Sequence, residues 1–411
     1  MRVLLICPGS AGNALPFVGL GANLAKRGHE AVLFGDTYLG KTAKDLNLKW
    51  SPLLESSSLK KNGTWSASPY HLANQLKVLN KTAIHSVYDA IEKFYIPNRT
   101  IAVAQGWLFG ARIAQEKLGI PLATVHLQPL MFGRLHEPDY LPGLPGFWLR
   151  WMRQFAFRKL AQSMLGRNIN LFRDKLGLKP TNDILKSWWR SPQLVLAMFP
   201  SWFSEPRKDW PSQTAITGFP LFDELGTSYE KEKIDQFLTE NDPPVVFTQP
   251  SLLKTDVNFF KAAAEISKNL KRRVILLSLK AESPPDELPD NFAYFGFVPL
   301  SRILPKAAAI VHHGGIGTIA QAIAAGIPQL TIPRFLDQHD NSKRLLQLGI
   351  SHNIPIRRAG SVSVTRAIEG LISSESIKET CRHYARCSLR ENGIETGCDK
   401  LEMLAKENKV S

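Results

Sequence analysis

Cysteine is scarce and poorly spaced for chemistry. The chain of 411 residues holds four, Cys7, Cys381, Cys387 and Cys398. None forms a C-x-x-C pair and no histidine cluster accompanies them, so neither a disulfide framework nor a structural zinc site is expected. Long apolar runs are missing as well. The opening "RVLLIC" gives way to turn formers, too short for a signal-peptide core or a membrane span, which predicts an untargeted, cytoplasmic protein. No D-x-D triplet occurs, so a metal site built on paired carboxylates is not expected. Repeats, low-complexity tracts and nucleic-acid-binding signatures are also absent, which argues against a solenoid and against a nucleic-acid partner.

What remains is an ordinary folded composition with an excess of positive charge. Apolar residues make up 44% and charged residues 21%, as in globular domains. The formal net charge of +15 favours anionic partners such as phosphorylated small molecules or an acidic membrane surface. Lysine and arginine are spread through the chain instead of forming a basic arm. The length suggests two domains.

The pattern of elements supports that division. "RVLLIC" reads as a strand, "PGSAGNALP" as a turn, "FVGLGANLAKRG" as a helix closed by Gly28, and "HEAVLFGD" as a second strand, together one βαβ unit. "TIAVAQG", "GARIAQEKLG" and "IPLATVHLQP" continue the alternation, so the predicted architecture is α/β, a mostly parallel, doubly wound sheet. Residues 147 to 190 read as helical and rich in Trp. A polar, proline-bearing passage over 220–243 suits a linker. The pattern then restarts with "PVVFTQPS", a helix over 256–270, "RRVILLS", "NFAYFGFV", "AAAIVHH" and "PQLTIP". The expected domains are therefore 1–219 and 244–411, two Rossmann-like units facing across a cleft, with the last helix packing back on the first. Ligands of such sheets sit beyond the carboxyl ends of the strands.

One stretch concentrates chemistry there. In "AAAIVHHGGIGTIAQAIAAG" a strand ends at His312 or His313, glycines 314, 315 and 317 permit close backbone approach, and Thr318 opens a helix closed by Gly326. Free amides at a helix start attract phosphate. His313 adds a donor and Thr318 a hydroxyl. A plain βα turn with two structural histidines is the alternative. Downstream, "PRFLDQHDNSKRLLQLG" places Asp337, Gln338, Asp340 and Asn341 between a strand and a helix. An acid followed by an amide can grip neighbouring sugar hydroxyls, although Asp340 or Asn341 would also serve as a helix cap.

These motifs closely resemble the family-1 glycosyltransferases, nucleotide-sugar enzymes of GT-B fold. The resemblance rests on "GSAGNALPFVGLGANLAKRGHEA", "DWPSQTAITGFPLFDE" and, above all, "FVPLSRILPKAAAIVHHGGIGTIAQAIAAGIPQLTIPRFLDQHDN". Within the family it looks most like bacterial rhamnolipid-type rhamnosyltransferases. The resemblance implies an inverting, metal-independent transfer of a hexose or deoxyhexose from a dTDP- or UDP-sugar to a hydroxyl of a lipophilic acceptor, with no further cofactor. It places His313, Gly315, Gly317 and Thr318 on the donor diphosphate and Asp337 and Gln338 on the sugar. Gln321 falls near the ribose, where its neutral amide suits a deoxyribose. Val298 supplies backbone to the base, and Ser251 a hydroxyl to the phosphates.

Two positions depart from the family pattern. Asn13 stands where the general base, a histidine or aspartate, is carried, and asparagine takes no proton. His126, ending a first-domain strand, is the candidate to replace it. Pro250, before Ser251, removes one potential amide donor. A sugar-nucleotide-binding homologue with impaired catalysis, or an accessory protein, is the alternative reading. A nicotinamide enzyme, suggested by Gly9, Gly12 and Asp36, lacks the G-x-G-x-x-G spacing and has Pro16 where its helix would start. On the acceptor side, Phe132 and Trp148 are the expected contacts. "GFWLRWMRQFAFRKL" reads either as a helix packed on its own domain with a solvated basic face, or as one resting on an anionic inner-membrane face or covering a lipid channel.

Overall fold

A computed structural model describes residues 1–53, 83–132, 162–163, 165–224, 229–239, 242–249, 257–270, 272–278, 289–334 and 336–411. The chain divides into two compact units: Met1–Gly9, Asn13–Gly218 and Gly393–Ser411 form one, Ser10–Gly12 and Phe219–Asn392 the other.

The first unit is built on seven parallel strands: β1 (Arg2–Ile6), β2 (Glu30–Gly35), β3 (Lys49–Pro52), β4 (Thr100–Gln105), β5 (Leu122–His126), β6 (Leu194–Ala197) and β7 (Thr214–Ile216), in the order β3-β2-β1-β4-β5-β6-β7. The second holds six: β8 (Val245–Thr248), β9 (Val274–Leu277), β10 (Phe292–Phe295), β11 (Ala309–His312), β12 (Gln329–Thr331) and β13 (Ser351–Asn353), ordered β10-β9-β8-β11-β12-β13. In both, strand order reverses once, between β1 and β4 and between β8 and β11. Those switch points are where such sheets hold ligands.

Helices on both faces follow from the strand sequences. Val245 and Phe247 of β8 join Val274 and Leu276 of β9 in one core cluster, while Val246, Ile275 and Leu277 join another. Successive side chains point to opposite faces, so an unbroken apolar strand requires cover on each side. The Val257–Leu270 and Ser361–Ser373 helices cover the first cluster; the Ile316–Ala325 helix contributes Ala322 to the second. In the first unit, Gly21 lets the Ala11–Lys26 helix approach the sheet. A Cβ there would lie 2.8 Å from Leu5 Cδ1.

Several elements differ from the sequence expectation. The Ala11–Lys26 helix begins within the supposed turn and runs through Pro16, so Asn13 sits in its first turn. The presumed linker contains the Lys231–Thr239 helix, whose buried Ile234 and Leu238 enter the second unit's core. Strands β3 and β13 were not anticipated, being short, polar sheet edges with no apolar run. The basic aromatic stretch around Trp148 lies outside the described residues, as do Ser251 and Pro250.

The Gly393–Glu407 helix belongs to the first unit. Arg27 Nη1 donates to Asp399 Oδ1 at 2.6 Å and to Glu402 Oε2 at 3.1 Å, and His29 Nε2 lies 2.8 Å from Glu402 Oε1. Gly397 fits against Leu20, whose Cδ2 would be 2.9 Å from an added Cβ.

If the two-sided packing of the second sheet carries its stability, Leu276→Ala, at a site with 0% exposure, should cost about 2–5 kcal/mol. A lower urea midpoint for that unit at unchanged slope is the expected readout; an unmoved midpoint would show that the site relaxes.

Candidate active site

The site grows from one tight turn. Strand β11 ends at His312, which is buried and neutral. Gly314 N donates to His312 Nδ1 at 3.1 Å, so the ring proton is on Nε2, which lies 3.0 Å from Gln329 Oε1. Burial, with a smaller contribution from the neighbouring His313, holds its pKa down at about 3. His312 is therefore a fixed strut that pins the turn.

Gly314 adopts φ +90°, and a Cβ there would meet Ser342 Oγ at 2.9 Å and Gln338 O at 3.0 Å. Only glycine fits that position. Asn341 Nδ2 donates to Gly314 O at 3.0 Å, tying the turn to the Leu336–Gln347 helix. Gly315 has a different reason. His313 lies across it, and a Cβ would approach the imidazole Nε2 to 2.6 Å.

The following helix starts two residues earlier than the sequence suggested. It spans Ile316–Ala325, with Gly315 as an N-cap whose extended backbone offers no side-chain cap and Gly326 as a left-handed C-cap. The first amide to reach a helical carbonyl is that of Ile319, donating to Gly315 O at 3.0 Å. The N–H groups of Ile316, Gly317 and Thr318 precede it and emerge together at the positive end of the helix. Thr318 is half-buried, and Gln321, one turn on, is 9% exposed.

His313 stands beside these amides. Desolvation, with the positive charge of Arg334 in second place, depresses its pKa to about 4, and its buried Nδ1 has no partner among the described residues. It is a neutral imidazole able to donate. Arg334 was not singled out from the sequence. It occupies an unremarkable loop between β12 and the next helix, and only the fold brings its charge near His313.

Asp337 and Gln338 lie within the first turn of the Leu336–Gln347 helix and not in a preceding loop. Burial raises the Asp337 pKa, backbone hydrogen bonds at Asp337 and Gln338 oppose it, and Asp340 adds to the rise. Gln338 Oε1 accepts from Arg334 N at 2.9 Å. Asp340 and Asn341 are structural: Asp340 Oδ2 accepts from Arg344 Nε at 3.1 Å with Asp340 fully buried. The side chain of Val298 is buried in the second unit's core, so only its backbone can meet a ligand.

In the first unit the half-buried Asn13 has its backbone carbonyl oxygen held by Gln105 Nε2 at 3.1 Å. Gln105 is itself buried, and its Oε1 has no partner among the described residues. The reading of His126 as a substitute base meets a physical obstacle. Its ring packs edge-on against Phe132 and Trp189, both with centroids at 5.1 Å, and would lie 2.2 Å from a Cβ on Gly106. Burial, then the charge of Arg190, lowers its pKa to about 3. Such a ring accepts a proton poorly. The expectation for Phe132 needs correction also: it is 2% exposed, stacked on Trp210 at 4.4 Å and near Phe199 at 5.7 Å, so it is core and not an exposed acceptor contact. The aromatic neighbours that enclose it come from residues far along the chain.

Comparison with known proteins agrees with this architecture. Residues 264–391 match the family model "Erythromycin biosynthesis protein CIII-like, C-terminal domain". O-mycaminosyltylonolide 6-deoxyallosyltransferase of Streptomyces fradiae is 26% identical over 98% of this chain and 97% of its own. Glycosyltransferase GtfE of Amycolatopsis orientalis is 30% identical over 88% of both. The crystal structure of glycosyltransferase VinC in complex with dTDP superposes with a TM-score of 0.69 at 20% identity, covering 99% of this chain and 100% of that one. The chain belongs to the family-1 glycosyltransferases of GT-B fold, and it is an enzyme of that activity. Rhamnolipid-type specificity is not among these findings. Among the described residues no helix is long and apolar enough to cross a membrane, and no group of three or more His, Cys, Asp or Glu could hold a metal ion.

The three histidines held neutral in the fold have a consequence for stability. His126 and His312 are held at about 3 and His313 at about 4, against 6.5 when unfolded. Below the unfolded value the unfolded chain binds protons that the folded one refuses, so each contribution, complete above it, is lost as pH falls, on the order of 1 kcal/mol per unit. Urea midpoints should drop between about pH 7 and pH 5, and His126→Phe should make that dependence shallower. An unchanged slope would show that the ring is not excluded from protons.

Proposed function

We propose that the enzyme transfers a hexose or deoxyhexose from a dTDP- or UDP-sugar to a hydroxyl of a lipophilic natural-product acceptor, with inversion at the anomeric carbon. One observation carries this reading: three uncapped amides and a neutral His313 converge at the carboxyl end of β11. That is a seat for a diphosphate.

In the transfer, the acceptor oxygen forms a bond to the anomeric carbon as the bond from that carbon to the diphosphate oxygen breaks. The electron pair leaves with the nucleoside diphosphate, and the acceptor proton passes to a base or to water. Charge growing on the leaving group is met by the amides of Ile316, Gly317 and Thr318, by the His313 ring and by Arg334. Preorganised donors of this kind stabilise developing charge without rearrangement. Activity persisting in a chelator is the expected result. Asp337 and Gln338 hold sugar hydroxyls, Gln321 faces the ribose, and Val298 offers its backbone to the base. A rhamnosyl donor is the finer form of this proposal, and Ser251 and Trp148 keep their roles on the phosphates and the acceptor within it.

The relatives support both ends of the reaction. One is named for transferring 6-deoxyallose to a tylonolide, and the matched family is named for erythromycin biosynthesis. A matched structure was solved with dTDP. Thermal denaturation with dTDP, UDP and GDP tests the donor side: at about a hundred times Kd a ligand adds roughly 2.7 kcal/mol to stability. The expected order places dTDP first, and His313→Ala should weaken it at least about tenfold, the loss of one charge-assisted bond. Equal stabilisation of the variant would remove His313 from the site.

Asn13 favours a second reading, a donor-binding protein of low turnover. Replacement decides between them. If residue 13 is where the base belongs, Asn13→Asp should raise nucleoside diphosphate release in the presence of acceptor by about 10²- to 10⁴-fold. A wild-type rate that already matches the variant would show that the proton leaves by another route.

A further inference from the structure

We propose that the second unit carries an additional small-molecule site, beside edge strand β13, for a carboxylate or phosphate borne on an apolar body. A cavity of about 520 Å³ opens there, between β13, the turn that follows it and the Ser361–Ser373 helix. Pockets for small molecules fall in this size range. None of its lining residues belongs to the site described above.

The lining divides into a polar end and an apolar wall. Ser351, Asn353, Arg358 and Arg366 supply the first; Ile354, Ala367 and Leu371 supply the second. Ser351 is 7% exposed, yet its Oγ has no hydrogen-bond partner among the described residues, and Asn353 Oδ1 lacks one likewise. Both guanidinium groups are exposed at the rim. The turn bearing Arg358 is fixed in advance: Ser363 Oγ donates to Arg358 O at 2.6 Å and accepts from Gly360 N at 3.1 Å. Two cations at the mouth and an apolar wall define the complement of an amphiphilic anion. Arginine suits the role because its planar donors match carboxylate and phosphate oxygens in pairs.

Depth argues for a free molecule over a membrane surface. A lipid headgroup held at an interface would meet the rim, whereas Ser351 and Leu371 line the interior.

Calorimetric titration of the full chain with octyl phosphate and octanoate, below their micellar concentrations, tests the site. Saturable binding is expected for both, with octan-1-ol at least about tenfold weaker, since charge assistance strengthens the polar contacts. The double variant Arg358→Glu, Arg366→Glu should reduce anion binding by a similar factor, and His313→Ala should leave it unchanged, which separates this site from the proposed diphosphate seat. Gly370→Leu gives an independent arm. A Cβ on Gly370 meets no heavy atom within 4 Å, so the leucine should fold normally and obstruct the cavity, lowering affinity with no fall in Tm. Equal binding of octanol, no saturable binding, or loss of binding in His313→Ala alone would each overturn the proposal. So would arginine-dependent sedimentation with phosphatidylglycerol vesicles without octyl phosphate binding, which would put the anion on a membrane.

Discussion

The geometry of the second unit depends on how the chain turns after β11. Within three residues the backbone must leave a central strand, cross the carboxyl edge of the sheet and enter a helix. A neutral His312 accepting from Gly314 N, a left-handed Gly314 and the Asn341 amide on Gly314 O accomplish this together. Each bond satisfies a buried polar group, which would otherwise be costly at such depth. The consequence is positional: the turn's own hydrogen bonds are used up internally, while the helix amides just beyond it are not. The residue that locks the turn and the residue proposed to meet the diphosphate are therefore neighbours with different hydrogen-bond states. His312 is committed on both nitrogens, and His313 keeps an unanswered Nδ1.

Packing makes the turn rigid. Strand β11 lies between β8 and β12, and its alternate residues enter the two clusters that cover the sheet, Val311 on one face and Ile310 on the other. A strand clamped on both edges and both faces has little room to shift. The Leu336–Gln347 helix is held to the same turn by Asn341, so Asp337 and Gln338 inherit their placement from it. Their own hydrogen bonds, such as Gln338 Oε1 with Arg334 N, tune orientation afterwards.

Much of this was legible in the sequence because the signals are local. Apolar runs such as "VVFT" and "AIVH" declare buried strands, and "HHGGIGT" declares a tight turn into a helix. What stayed hidden depends on distant partners. Strands β3 and β13 are recognisable only by the ladders they join, since "KWSP" and "SHN" carry no apolar period. The Lys231–Thr239 helix buries just Ile234 and Leu238, too few to outweigh its charged surface in a reading by composition. His126 and Phe132 looked like open positions after a strand; Trp189, Phe199 and Trp210 close over them from more than fifty residues away. Arg334 illustrates the converse, a residue whose relevance is purely spatial.

The two units share a strand order up to the added edge strand, and among the described residues the glycine turns after β1 and β11 differ in the charge set beside them. In the first unit, the turn after β1 also carries a left-handed glycine, Gly9, with φ +123°. There the glycine amide is already occupied: Gly9 N donates to Asp36 Oδ2 at 2.9 Å, and Tyr38 Oη donates to Gly9 O at 3.0 Å. An incoming phosphate would lose that donor and face the Asp36 charge at close range, where like charges in a partly buried setting repel strongly. The same bond commits one Asp36 oxygen to the turn, whereas the nicotinamide reading sets that acid on a ribose. The turn after β11, which lies one strand over from the place that β1 holds in its own sheet, sets His313 and Arg334 beside its helix start instead. Two glycine turns at the carboxyl ends of parallel strands thus differ in the charge beside them, the Asp36 carboxylate at Gly9 and the Arg334 guanidinium near His313.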